Sequence, residues 1–161
     1  MKGNILGADP GASGALALFL PADNELHVLD TPTHEIRGKR RLDLYALSRI
    51  VREWDMQYGI SHAVVENVGA MPGQSPNGMF AFGFSAGALQ MAVAAAGIPM
   101  TLVVPQVWKK SYGIAGGREN KDQARQKASM MFPGAAHLWA RKRDDGRAES
   151  ALLAHYGSKL A

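Results

Sequence analysis

The sequence contains no cysteine, and aromatic residues make up only 7% of its 161 positions. Without cysteine the chain can form neither a disulfide framework nor a thiolate metal site. Any metal must therefore be held by oxygen or nitrogen ligands. A cysteine-free chain suits a reducing compartment, and the first four residues lead into a strand-like run with no sign of a secretory leader. We therefore expect a cytoplasmic protein.

Internal repeats and a linker that would mark a second domain are also missing. Hydrophobic residues account for 47% of the chain and charged residues for 20%, which is typical of a globular protein. A chain of 161 residues is long enough to bury one sizeable core, but too short for a second catalytic lobe. We predict a single domain over residues 1–161.

The longest apolar segment, residues 80–98, owes its hydrophobicity mainly to alanine and also contains Ser85 and Gln90. We interpret it as a buried helix rather than a membrane span, so no membrane association is expected. Elsewhere, alternation and turn signals indicate an α/β domain. The predicted order is three strands (ending at residues 9, 20 and 30), a loop over 31–39, a helix over 43–58, a strand ending at 66, a loop over 67–78, the apolar helix, a strand over 100–104, and further helices.

Four acidic residues lie in local settings that indicate a shared site. Asp9 and Glu66 each end a strand-like apolar run, while Asp145 and Glu149 are four residues apart on a predicted helix and so share one face. Clustered carboxylates repel one another unless a cation neutralises them, and oxygen ligands suit hard ions such as Mg²⁺ or Mn²⁺. We predict that the four converge on divalent ions. Taken singly, each could instead be a turn, loop or helix-cap residue.

The net charge of +4 and the pI near 9.5 favour a polyanionic partner. Basic residues cluster at positions 37–41, 109–110, 121–127 and 141–143. The last cluster adjoins the predicted acidic helix, and cations beside a metal site fit a phosphodiester substrate. Any one cluster could equally be a solvated surface.

These features, in this order, resemble the RuvC-type Holliday junction resolvases, most closely the short forms found in bacteriophages and prophages. The matching segments are Ile5-Leu6-Gly7-Ala8-Asp9-Pro10-Gly11, Val64-Val65-Glu66, Val104-Pro105-Gln106-Val107-Trp108-Lys109 with Gly113 and Lys121 after it, and the stretch from Asp145 to Ala151. The resemblance covers nearly the whole chain. It implies a ribonuclease H-like fold with a mixed five-stranded sheet flanked by helices.

The resemblance also implies a structure-specific endonuclease that resolves four-way or branched DNA junctions and leaves 5'-phosphate and 3'-hydroxyl ends. Two Mg²⁺ ions, about 3.5 to 4 Å apart and replaceable by Mn²⁺, would be held by the acids Asp9, Glu66, Asp145 and Glu149. Lys121 would offset charge that develops on the phosphate. The DNA backbone would be contacted by Lys109, Lys121, Arg141, Lys142 and Arg143.

A four-way junction has near two-fold symmetry, so matched cuts call for two active sites and hence a homodimer. The implied setting is the cytoplasm of a bacterium or of a phage-infected host cell. The small residues of the 80–98 helix could pack against a second copy, or the helix could lie only on its own sheet.

The chain departs from the resemblance at two places. The family has an acidic residue or histidine three positions before the last carboxylate, but this chain has Gly146 there, with Asp144 and Asp145 just before it. The i to i+4 spacing favours Asp145 over Asp144. The family's aromatic residue three positions after the second acid is replaced by Gly69; the later phenylalanines Phe80, Phe82 and Phe84 could open a junction or belong to the core.

Three other functions stay open. The first is a ribonuclease H-like nuclease that cuts RNA:DNA hybrids or structured RNA with the same metals. The second is an actin-like kinase or ATPase, suggested by the turn at residues 9–14, although that fold needs two lobes. The third is a DNA-binding module without catalysis, against which the four retained acids argue.

Overall fold

Seven strands and five helices are present in the computed structural model, which describes residues 3–69, 73–115 and 121–160, with the side chain of Lys121 outside the described part. The strands are β1 (Asn4–Asp9), β2 (Ala15–Leu20), β3 (Glu25–Asp30), β4 (Thr33–Ile36), β5 (Lys39–Leu42), β6 (Ile60–Glu66) and β7 (Met100–Val103). The helices are α1 (Leu44–Tyr58), α2 (Pro76–Ala95), α3 (Pro105–Ser111), α4 (Lys121–Met131) and α5 (Asp145–Leu160). Two 3₁₀ segments, Pro133–Trp139 and Lys142–Asp144, join α4 to α5.

Five strands form one mixed sheet in the order β3-β2-β1-β6-β7. The first three strands are antiparallel, whereas β6 runs parallel to both β1 and β7. Parallel neighbours end at the same edge of a sheet, and the register pairs Ala8 of β1 with Val65 of β6. The next residue of each strand, Asp9 and Glu66, therefore lies at the same edge on neighbouring strands.

One face of the sheet is covered by α5, which contacts β1, β2 and β6. The helix approaches closely because Gly7 has no side chain: a Cβ at Gly7 would lie 2.2 Å from the Ser150 carbonyl oxygen and 2.2 Å from the Ala154 nitrogen. Gly157, further along α5, is also close to the sheet: a Cβ there would lie 2.6 Å from the Ile5 side chain and 2.7 Å from the Val64 side chain. This close contact sets the position of α5 relative to the end of β1.

The opposite face is covered by α1 and α2, whose side chains Leu47, Val51, Leu89 and Val93 pack against the sheet. Because both faces are covered, β2 is buried along its whole length. Burial of each such aliphatic side chain contributes about 1.5–3 kcal/mol to folding. The predicted α/β class and the mixed five-stranded sheet with flanking helices are confirmed.

The predicted loop over residues 31–39 is wrong, because this segment and the residues after it form a hairpin of β4 and β5. Arg37 and Gly38, at its tip, have φ of 50° and 72°, which fits a two-residue turn with both central residues at positive φ. Both strands are short and mostly exposed, so they lack the apolar alternation that marks a half-buried strand. The sequence did not predict this hairpin because its strands are mostly polar.

Helix α2 begins at Pro76, capped by the Ser75 side chain, so the predicted loop over 67–78 is too long at its end; residues 70–72 of that loop lie outside the described part. The prediction of a buried helix is correct for one side only. That side carries Ser85, Ala86, Leu89, Ala92 and Val93, whereas Phe80, Phe84 and Met91 are exposed. Among the described helices, α2 alone is long and apolar enough to cross a membrane by length and composition.

Candidate metal centre

Three carboxylates meet where β1 and β6 end beneath α5. Asp9 and Glu66 are the last residues of the two strands, and Glu149 lies in the first turns of α5. One carboxylate oxygen from each lies within 4.8 Å of the other two. The convergence predicted from the sequence is therefore present for these three residues.

The environment of Asp9 disfavours its charged form. Burial of its carboxyl raises the pKa of Asp9 well above the ordinary value, and the charges of Glu149, Glu66 and Asp145 raise it further. Lys109 acts in the opposite direction. Crowded carboxylates in a low-dielectric site favour a proton or a cation, and a set made only of carboxylate oxygens suits a hard divalent ion.

Glu66 is the most enclosed of the three acids, with 6% of its surface exposed. Burial and the charge of Glu149 raise the pKa of Glu66, while a hydrogen bond from Trp108 and the charge of Lys109 lower it. The Trp108 indole Nε1 donates to the Glu66 Oε1 at 2.9 Å, and Trp108 itself is fully buried. This bond leaves one oxygen of Glu66 engaged and fixes the direction of the carboxylate.

A lysine balances part of the negative charge. The Lys109 Nζ lies 2.7 Å from the Glu149 Oε1, and both side chains are mostly buried. The same ammonium lies 5.1 Å from the centroid of the Trp108 ring, within the range of a cation–π contact. Lys109 was predicted to contact the DNA backbone, and the structure places it inside the acidic cluster.

The two neighbouring aspartates at the start of α5, Asp144 just before it and Asp145 at its first position, have different surroundings. Asp144 forms a two-pronged ion pair with Arg141 at 2.8 and 2.9 Å, which lowers the pKa of Asp144. Asp145 instead lies close enough to Asp9 to raise the pKa of Asp9. The geometry thus favours Asp145 as the fourth acid, although its oxygens are not within the 4.8 Å group of the other three.

Gly146 has a steric reason for being glycine. A Cβ at this position would lie 3.0 Å from the Asp9 Oδ2 and 2.9 Å from the Ser13 carbonyl oxygen. The first turn of α5 therefore packs directly on the β1–β2 turn, and the position three residues before Glu149 has no room for a ligand side chain. The acid one residue earlier, Asp145, is left to face the cluster.

The remaining predicted site residues are basic. Lys142 and Arg143 are exposed, and Arg141 is exposed but bonded to Asp144. Lys121 begins α4, and its side chain lies outside the described residues. Lys142 and Arg143 are therefore accessible to solvent just before α5.

Two contributors to the site were not anticipated from the sequence. The sequence pattern indicated Trp108 only as part of the segment that ends at Lys109. An indole next to a lysine on a short helix could have indicated a role in the site. Arg147 bonds Asp30 at the end of β3 at 2.6 Å through two nitrogens and so ties the start of α5 to the sheet. No local pattern links residues 117 positions apart.

The fold is similar to that of several Holliday junction resolvases. RuvC of Thermus thermophilus in complex with a Holliday junction substrate aligns with a TM-score of 0.60 and 17% identity, over 99% of this chain and 96% of that chain. The yeast mitochondrial Holliday junction resolvase aligns at 0.55 and 13%, over 95% and 76%, and the fowlpox virus Holliday junction resolvase at 0.55 and 14%, over 98% and 99%. No protein-family model matches the chain, and no curated protein does. These likenesses show that the chain has the same fold as these resolvases.

Proposed function

We propose that this protein is a metal-dependent endonuclease that resolves four-way or branched DNA junctions. The proposal rests chiefly on the three carboxylates that converge within 4.8 Å at the ends of two parallel strands. It is supported by the likeness to structures described as Holliday junction resolvases, one of them in complex with junction DNA. The basic net charge fits a nucleic-acid substrate.

Asp9, Glu66 and Glu149, with Asp145 beside them, would hold two Mg²⁺ ions, for which Mn²⁺ could substitute. When bound, the ions supply activation of a water nucleophile and stabilisation of the leaving 3'-oxygen, so that the products carry 5'-phosphate and 3'-hydroxyl ends. Trp108 holds Glu66 in a fixed orientation through its indole N–H. Lys109 balances the charge of Glu149 through their ion pair.

Basic side chains would hold the substrate near these acids. Lys142 and Arg143 are exposed just before α5 and would bind backbone phosphates, and Lys121 would offset charge on the cleaved phosphate. Such contacts add affinity that falls with salt and carry little sequence information. The expected setting is the cytoplasm of a bacterium or of a phage-infected host.

Two copies would act on one junction. The exposed side of α2 forms an apolar groove whose lining includes Gly83, Gly87 and Met91, and Met91 is 62% exposed. Small residues allow a second helix to approach closely. A two-fold pair of active sites matches the near two-fold symmetry of a four-way junction.

The test is cleavage of end-labelled four-way junction, flap, RNA:DNA hybrid and linear duplex, each in Mg²⁺ and in chelator, by wild type and by Asp9→Asn. We expect paired, symmetric cuts in the junction by wild type with Mg²⁺, and binding without cutting by Asp9→Asn. Preferential loss of the hybrid would instead indicate a ribonuclease H-like activity. Cutting by Asp9→Asn at the wild-type rate would contradict the assigned metal site.

A further inference from the structure

A pocket of about 330 Å³ lies between the β4–β5 hairpin and α2, outside the acidic cluster. Three phenylalanines of α2 (Phe80, Phe82 and Phe84) form one wall, and Arg40 and Arg41 of the hairpin form another. Phe80 is 77% exposed, which is unusual for a phenylalanine in a folded domain. No residue of the metal cluster lines this pocket.

The pocket is nonetheless next to the metal centre. Ala12 of the β1–β2 turn is part of its lining, and an Arg40 guanidinium nitrogen donates to the Ala12 carbonyl oxygen. The Phe82 ring lies against Gly11 of the same turn: a Cβ added there would be 3.2 Å from the ring. Ala12 is three positions after Asp9, a chain length that spans at most about 11 Å. A strand bound at the acids therefore passes within one or two nucleotides of the pocket.

The side chains that line the pocket indicate which kind of molecule it binds. Aromatic rings offer flat surfaces on which a nucleobase of any sequence can stack, and arginines supply charge for the attached phosphate. None of the residues that line this pocket in the described part of the chain is acidic. The hairpin adds Arg37 and Lys39, both exposed, against the single carboxylate of Glu35. A purely apolar protein partner would gain nothing from this excess of cations.

We propose that the pocket receives one unstacked nucleotide of the DNA strand, its base on the exposed Phe80 ring and its phosphate on Arg41. The inference rests on the proposed endonuclease function and extends it. Branched DNA is distorted where its arms meet, and the cost of unstacking a base is smallest where pairing is already lost. The pocket thus favours distorted DNA over a continuous duplex beside the cleavage site.

The test measures equilibrium binding of junction DNA in the Asp9→Asn background, which keeps the DNA intact. We compare Phe80→Ala with Met56→Ala, since Met56 is 79% exposed on α1 and outside the pocket. Loss of one base-stacking contact predicts about 5- to 100-fold weaker binding for Phe80→Ala and no change for Met56→Ala. Both side chains are exposed, so both variants are expected to fold, and thermal unfolding checks this.

A second arm locates the base. We measure the affinity of junctions that carry one abasic site, placed in turn at each position within three nucleotides of the cut. The two proteins compared are the Asp9→Asn parent and the same protein with Phe80→Ala. If the pocket holds a base, one abasic position weakens binding of the parent protein and abolishes the difference between it and Phe80→Ala. An equal difference at every abasic position would contradict the proposal.

The phosphate contact has its own control pair. Arg41→Ala is expected to reduce the slope of log affinity against log salt by about 0.7 to 0.9, the value for one phosphate contact, whereas Arg52→Ala, at an exposed position of α1, leaves the slope unchanged. Equal slopes for the two variants would overturn the proposal. So would a change in subunit number on Phe80→Ala by light scattering, because a second copy would then cover the pocket. Failure of wild type to cut any junction would contradict the proposed function. The binding data would still test whether the pocket holds a nucleotide, because they do not depend on cleavage.

Discussion

Replacement of Trp108 by phenylalanine removes one hydrogen bond from the metal centre and keeps most of the buried ring. The bond joins the indole N–H to a Glu66 carboxylate that is 6% exposed, so solvent cannot replace it. A hydrogen bond to a buried charge is worth about 1.5–3 kcal/mol. At about 1.4 kcal/mol per factor of ten, the loss corresponds to roughly 10- to 100-fold. Removal of a ligand's hydrogen-bonding partner has an effect of the same size on metal affinity or activity.

The assay is single-turnover junction cleavage as a function of Mg²⁺ concentration and pH. We expect the Mg²⁺ concentration for half-maximal rate to rise by roughly 10- to 100-fold in Trp108→Phe. The indole lowers the pKa of Glu66, so its loss raises that pKa and moves the acidic limb of the rate profile to higher pH. Trp108 is thus a positioning residue that acts through Glu66.

Trp139 provides a matched control. It is 1% exposed, and its indole donates to the Ser129 hydroxyl at 2.9 Å, the same distance as in the Trp108 bond, but to a neutral acceptor away from the acids. Trp139→Phe should also lower the unfolding temperature, but it should leave the Mg²⁺ dependence unchanged. If both variants shift the Mg²⁺ dependence equally, or neither does, the reasoning about Glu66 is refuted.

Two further predictions concern Asp9 and its steric neighbour. The pKa of Asp9 in the folded protein is raised above its value in the unfolded chain. Without metal, the contribution of Asp9 to stability therefore falls as the pH rises between the two values. Asp9→Asn should therefore unfold at a higher temperature than wild type at neutral pH in chelator. Saturating Mg²⁺, at about 100 times its Kd, should raise the wild-type midpoint by about 5 to 10 °C, and equal gains in the variant would contradict the site. Gly146→Ala should cut at least 10-fold more slowly than wild type, because its Cβ would displace the Asp9 carboxylate. Gly134→Ala, with open space around its Cβ, should cut at the wild-type rate. Equal rates for the two variants would disprove this crowding.

The sequence was informative wherever function depends on a local pattern. Asp9 and Glu66 could be placed because each ends an apolar run, and parallel neighbours bring such ends together. Glu149 followed from helical periodicity. The preference for Asp145 over Asp144 also came from periodicity, and the structure adds that Asp144 is bonded to Arg141.

What the sequence could not show depends on contacts between distant residues. The Trp108–Glu66 and Lys109–Glu149 pairs are separated by 42 and 40 positions and have no local signature. The β4–β5 hairpin was missed because its strands bury almost nothing, and an Arg-Gly turn is a weaker hairpin signal than Asn-Gly. The exposed side of α2 was missed since a helix that is apolar all round gives no indication of which side faces the sheet.

The close packing of α5 on Gly7 of β1 determines when the acidic cluster can form during synthesis. Asp9 and Glu66 leave the ribosome early, but Glu149 follows only after more than eighty further residues, and it joins them only once α5 has docked. A nascent chain that has emerged as far as α4 still lacks a ligand. The acidic cluster can therefore form only after α5 has been synthesised and has packed on β1.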